Sequence, residues 1–234
     1  SLDEQRSEIR AAGFGGKVEI LSWQPTVPAT ESATGLDVNS NIAVRSTNDA
    51  FLLETTQFLR PLQGTFREFT VHLPSRGELL SVDGNEISET RVDETDPEKI
   101  TVTLKSPTSG TISVRWQVRV PQLSRRNFDL DGFRVEGARR ESGEIGFLAA
   151  EGFRWNVADG SDPHVERMNA GEFRIGGVRT TAVRACRFFS QPFRLPTTLD
   201  PVEPYYDVAT LFALSAAEKE IGLEARFKVR IYRG

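Results

Sequence analysis

At 234 residues the chain is long enough for one large or two small domains, and either size can bury a substantial core. A net charge of −4, with charged residues at an ordinary 26%, sets the chain against nucleic acid, whose binding calls for a concentrated basic face. The single cysteine, Cys186, excludes an intrachain disulfide and every metal site built on paired cysteines, and no apolar run reaches the roughly 18 residues that a membrane-crossing helix needs.

In chain order, residues 1–13 read as a tag, a linker or a short helix, since "DEQRSEIRAA" offers Asp3 as an N-cap. The glycines of "GFGG" (13–16) precede the strand-like "KVEIL" instead of following a strand, the wrong order for a phosphate-cradling loop. "NIAVRSTNDAFLLETTQFL" predicts two strands around an Asn48-Asp49 turn. In "FREFTVHLP", Phe69, Val71 and Leu73 share a face, and Pro74 ends the strand because it has no N–H for a ladder. "ELLSVDGNEI" supplies a short strand and an Asp83-Gly84 turn. Ile100, Val102 and Leu104 of "ITVTLK", and Ile112, Val114, Trp116, Val118 and Val120 of "TISVRWQVRV", alternate with polar residues; the five-residue "SPTSG" between them predicts a hairpin.

The clean sheet pattern breaks at Pro121 to Asn127. Beyond it, "GFRVEGARRESGEIGFLAAEGFRWNV" carries strands separated by glycine turns, and "EFRIGGVRTTAVRACRFF" a hairpin around Gly176-Gly177, with Cys186 a buried, inert thiol. "LSAAEKEI" can form a helical turn or two. The last segment, "EARFKVRIYRG", alternates Ala225, Phe227, Val229 and Ile231 with Arg226, Lys228 and Arg230. No partner follows this strand, so it is expected to join a sheet already present or to lie on an edge open to self-association. Short strands at regular spacing predict an all-β fold, two antiparallel β-sandwich lobes at 14–123 and 124–234 with at most short helical turns.

The sequence also resembles itself. "DVNSNIAVRSTNDAFLLETTQFLRPLQG" (37–64) aligns without a gap on "DVATLFALSAAEKEIGLEARFKVRIYRG" (207–234), with seven of 28 positions identical, where average usage gives roughly two by chance. This spacing predicts a unit of about 170 residues followed by the opening of another, beads on a string more than a stacked solenoid. The "LP" stop after an alternating strand and the paired "I.V.L" and "V.W.V.V" patterns resemble the β-sandwich modules of long bacterial cell-envelope proteins. Gly64 to Val120 also resembles the N-terminal saddle sandwich of zinc aminopeptidases, without their H-E-x-x-H zinc motif, since the histidines are His72 and His164 alone. Both resemblances imply an extracytoplasmic accessory or scaffolding role, and neither carries over an active site.

Candidate chemistry is sparse. Asp162, His164 and Glu166 of "DGSDPHVE" pair an imidazole with two carboxylates, a donor set for a divalent metal if the segment is extended, against the alternative of a polar surface turn. Asp129 with Asp131, Asp93 with Glu94 and Asp96, and Asp83 with Glu86 resemble fragments of calcium loops, but none completes the loop spacing, so turn chemistry accounts for them better. His72 alternates outward and reads as a surface side chain. Trp23, Trp116 and Trp155 read as core filling, and Tyr205-Tyr206, beside Pro204 in an expected loop, is the aromatic pair open to ligand contact. The expectation is a non-catalytic segment of a larger extracytoplasmic protein, a spacer, scaffold or protein-interaction module, with no cofactor and with any membrane attachment in parts of the parent chain beyond this segment. The alternatives are a carbohydrate- or peptide-binding accessory module of a hydrolase and a metal-dependent enzyme using Asp162, His164 and Glu166.

Overall fold

The computed structural model describes residues 2–3, 8–9, 35–47, 49–121, 127–150, 152–158, 160–203 and 205–232. The chain divides into two units, 1–30 and 31–234. In the first, β1 (Leu2–Asp3) pairs antiparallel with β2 (Glu8–Ile9), within the stretch expected to be a tag, a linker or a short helix. So short a helix is marginal without a packing face, which leaves cross-strand pairing to decide.

The second unit contains β3 (Leu36–Ser46), β4 (Ala50–Pro61), β5 (Phe66–His72), β6 (Glu78–Asp83), β7 (Ile87–Val92) and β8 (Lys99–Thr108). There follow β9 (Ile112–Pro121), β10 (Asn127–Leu130), β11 (Arg134–Val135), β12 (Ala138–Leu148), β13 (Phe153–Val157) and β14 (Val165–Met168). The last six are β15 (Arg174–Ile175), β16 (Val178–Arg179), β17 (Ala182–Phe188), β18 (Leu195–Pro201), β19 (Tyr205–Ala216) and β20 (Ile221–Tyr232). The fold is all-β and sandwich-like. A single 3₁₀ turn, Ala170–Glu172, is the helical structure among the described residues, and none of them form a helix long and apolar enough to cross a membrane.

A seven-stranded sheet in the order β14-β17-β12-β3-β4-β9-β6 is the backbone of the unit, with a four-stranded sheet (β11-β5-β8-β7) and a three-stranded sheet (β10-β18-β13) beside it. Pairing is antiparallel throughout except between β12 and β3, which run parallel from Ala138↔Leu36 to Phe147↔Val44. Strands from both sides of the Pro121–Asn127 stretch are thus hydrogen-bonded into one sheet, because the late strand β12 docks on the early strand β3. The alternation of β3, β4 and β9 puts Val38, Ile42, Leu53, Leu59, Val114 and Trp116 on one face, all essentially inaccessible to solvent. They join Val71, Val102, Trp155 and Leu199 of the smaller sheets in one continuous apolar core. Burying each of these large side chains contributes about 1.5–3 kcal/mol. Trp155 packs on Phe51 and Phe147 with ring centroids 5.7 and 5.2 Å away, and its Nε1 donates to Leu148 O at 2.6 Å.

The expected hairpin at "SPTSG" is absent. β8 pairs with β5 and β7, whereas β9 pairs with β4 and β6, so the connection is an arch that carries the chain from one sheet to another. The apolar faces of the two strands, Ile100-Val102-Leu104 and Ile112 to Val120, meet in the same core. β6 and β7 part in the same way across the Asp83-Gly84 turn. Period-two alternation defines which face is buried, and it is satisfied equally by strands side by side or face to face.

Other expected turns are present. β3 and β4 form a hairpin whose turn is closed by Thr47 N donating to Ala50 O at 2.8 Å. β15 and β16 turn through Gly176 (φ 55°) and Gly177 (φ 83°), the left-handed pair that a two-residue hairpin loop requires. "LSAAEKEI" is the turn between β19 and β20 and not a helix: Ala217 N donates to Glu220 O at 2.8 Å, and the strand pattern on either side wins. Residues 13–16 and Trp23 lie outside the described residues.

Candidate functional site

The Asp162–Glu166 segment is a capped turn leading into β14. Asp162 accepts from His164 N at 2.8 Å through Oδ1 and from Arg194 N at 2.7 Å through Oδ2. Burial raises its carboxyl pKa, but the Arg194 and His164 amides together outweigh burial and hold it below the ordinary value. His164 sits in the turn and not on an extended strand, and both it and Glu166 are exposed. Among the described residues no three His, Cys, Asp or Glu side chains gather closely enough to hold a metal ion.

The acidic pairs are turn and ion-pair residues. Asp93 Oδ1 accepts from Thr95 Oγ1 (2.7 Å), Thr95 N (2.8 Å) and Asp96 N (3.1 Å), and the Thr95 hydroxyl is the main cause of its lowered pKa. Asp131 takes Ser75 N and Oγ, at 3.0 and 2.6 Å, while the Arg194 guanidinium binds Asp129. His72 lies 3.8 Å from Glu136 Oε2, which also receives Lys99 Nζ at 3.3 Å. Trp116 and Trp155 are buried, and Cys186 is a buried thiol in no disulfide.

Tyr205 and Tyr206 open a strand and do not lie in a loop. Tyr206 is 71% exposed, and its backbone pairs with Ile231. It begins an extended exposed apolar face. β19 and β20 form a regular hairpin, in which Tyr206↔Ile231, Val208↔Val229, Thr210↔Phe227, Phe212↔Ala225, Leu214↔Leu223 and Ala216↔Ile221 are opposite one another. The strict alternation of strands places these residues on one face, all of them apolar except Thr210. Phe212 and Phe227 meet edge to face at 6.3 Å, but Leu214, Ile221, Leu223 and Ile231 are each at least 67% exposed. The opposite face carries Asp207, Glu224, Arg226, Lys228 and Arg230. β20 is paired along its length with β19, the strand just before it.

A second feature lies on the outer face of the seven-stranded sheet. Ala43, Leu148, Phe173 and Ala185 form a small separate apolar cluster there, with the Phe173 ring over Gly146. The 3₁₀ turn that delivers Phe173 is capped by Asn169, whose Oδ1 accepts from Gly171 N at 3.0 Å. Beside it a cleft of about 470 Å³ is lined by Asn39, Asn41, Arg140, Glu144 and Arg187, with Arg187 paired to Glu144 at 3.1 Å.

Sequence reasoning missed one titratable group in the core. Glu141 is buried in β12, where Val135 N donates to its Oε2 at 3.1 Å, and burial pushes its pKa up to about 7 against the lowering effects of that amide and of Arg134. Flanking Arg139, Arg140 and Glu144 make it look like a wet position. Counting back in twos from the inward Phe147 and Ile145 would have found it.

No protein family's sequence pattern and no curated protein matches the chain. Several solved structures do. An M1 zinc metallopeptidase from Deinococcus radiodurans is similar at 12% identity and a TM-score of 0.40, over 82% of this chain and 47% of that one. A variant of it bound to a Tyr-Ser-Ala substrate matches at 11% identity and a TM-score of 0.41, again over 82% and 47%. A two-domain M1 zinc metallopeptidase bound to L-tryptophan matches at 10% identity and 0.41, over 82% and 48%. The chain spans about half the length of these solved chains.

Proposed function

We propose that this chain is a non-catalytic β-sandwich segment of a larger extracytoplasmic bacterial protein, acting as a structural spacer or scaffold or as a protein-interaction module. The observation that carries this reading is the β19–β20 hairpin. It stands clear of the three-sheet core, with an apolar face that nothing among the described residues covers. Its sequence is the one that resembles 37–64, which supports a parent chain built of such units in tandem, about 170 residues apart. The placement outside the cytoplasm rests on the resemblance of the "LP" stop and the paired "I.V.L" and "V.W.V.V" patterns to modules of bacterial envelope proteins.

A spacer of this kind holds together on its own core. Removing residues 205–234 is therefore expected to leave cooperative thermal unfolding of the remaining chain intact, with its midpoint within about 2 °C of the parent. Circular dichroism melts of the two chains check this. Loss of the cooperative transition would show that the hairpin belongs to the same folding unit and would remove the basis for a self-contained bead.

A further inference from the structure

The two long hairpins of this chain share one register. In β3–β4 the partners are Leu36↔Pro61, Asp37↔Arg60, Val38↔Leu59 and so on to Ser46↔Phe51; in β19–β20 they are Tyr206↔Ile231, Asp207↔Arg230, Val208↔Val229 and so on to Ala216↔Ile221. Each number moves by 170, with no slip across the whole ladder. The equivalence extends to the faces. Val38, Leu53 and Leu59 are fully buried in the core, and their counterparts Val208, Leu223 and Val229 are on the exposed apolar face. A one-residue slip would have put those counterparts on the charged side.

From this we infer that the apolar face of β19–β20 is the inner face of a second sandwich core, and that its occupant is a sheet built as Phe66–Thr108 is built, supplied by the polypeptide that follows residue 232. Three observations favour this occupant over a second copy of the chain. Residues of β5 and β8, Val71 and Val102 among them, share the core with the buried face of β3–β4, so the fold already contains the complementary surface for this register. β3 and β4 also have both lateral edges taken, by β12 and β9, whereas β19 and β20 pair only with each other among the described residues. Stacking two hairpins face to face would satisfy neither edge. Finally, a hairpin with 12-residue strands offers a face of roughly 40 by 10 Å, so two copies would cover about 800 Å² in all. That is below the roughly 1,200 Å² at which stable interfaces begin.

This occupant rests on the tandem reading above, and a labelling experiment separates the two. Leu214→Cys places a thiol on the apolar face and Ala213→Cys one on the charged face, and each is made in the 234-residue chain and in the chain extended through the codons that follow Gly234 in its gene. In the 234-residue chain, sedimenting as a monomer, both thiols are expected to react with maleimide at similar rates, with Cys186 shielded. In the extended chain the Leu214→Cys thiol is expected to react about 100-fold more slowly, because labelling then requires local opening, while Ala213→Cys changes little. Equal reactivity of the two thiols in the extended chain overturns the inference, as does a gene that stops at Gly234. A dimer of the 234-residue chain that protects Leu214→Cys also overturns it, by assigning the face to a second copy, yet leaves the interaction-module reading standing.

Discussion

Thr55 and Trp116 are directly opposite each other on the buried face of β4 and β9, and Gln57 is two residues along. Thr55 Oγ1, Trp116 Nε1 and Gln57 Oε1 have no hydrogen-bond partner among the described residues, although Gln57 Nε2 donates to Ser40 Oγ at 3.1 Å and Phe133 O at 3.4 Å. An unpaired buried hydroxyl costs about 1–3 kcal/mol, so Thr55→Val, which keeps the shape, is expected to stabilise the fold by about 1 kcal/mol in urea unfolding. Glu141 makes a pH-dependent contribution. Its pKa of about 7 in the folded chain is above the ordinary 4.5, so the folded state binds the extra proton. Stability from this group is full below about pH 4.5 and is lost as pH rises through 7, by up to about 3 kcal/mol. Glu141→Gln, whose amide oxygen can still accept from Val135 N, is expected to match the parent at pH 4.5 and exceed it at pH 8; paired urea midpoints at the two values check this. Neither residue announced itself in the sequence, because a threonine in a strand and a glutamate among arginines both read as solvated.

At the scale of elements, the alternation of β3, β4, β5, β8 and β9 was legible, since a period of two with Val, Ile, Leu and Phe on one side leaves little choice of face. Which strand pairs with which was not. "SPTSG" reads as a hairpin loop, yet it joins two sheets, because its flanking strands gain more by burying their apolar faces against each other than by sharing an edge. The parallel β12–β3 contact was equally hidden, as it joins segments about 100 residues apart. Its signature is glycine. A Cβ on Gly143 would run into the Ser40 carbonyl oxygen, a backbone atom that cannot step aside, and one on Gly146 would enter the Phe173 ring. Gly143→Ala is therefore expected to cost about 3 kcal/mol or more. Gly137→Ala, at φ 74° in a turn with nothing within 4 Å, should cost only the backbone strain of about 1–2 kcal/mol. Denaturant midpoints of the two variants compare steric collision with conformational strain directly.

At the scale of the whole molecule, the all-β class followed from strand spacing and turn residues, and the self-similarity of 37–64 and 207–234 was visible as well. The candidate site was less legible. Tyr205 and Tyr206 are the first residues of a strand and not of a loop, and Tyr206 begins its exposed apolar face. An apolar strand reads the same whether its face is covered or bare, so exposure had to come from coordinates. The parallel docking of β12 beside β3 also bears on how the chain is made. Until residue 148 has left the ribosome, β3 has only β4 at its side, and its other edge stays open to stray strands. Such long-range closure slows folding and keeps an unpaired strand edge exposed in the interval.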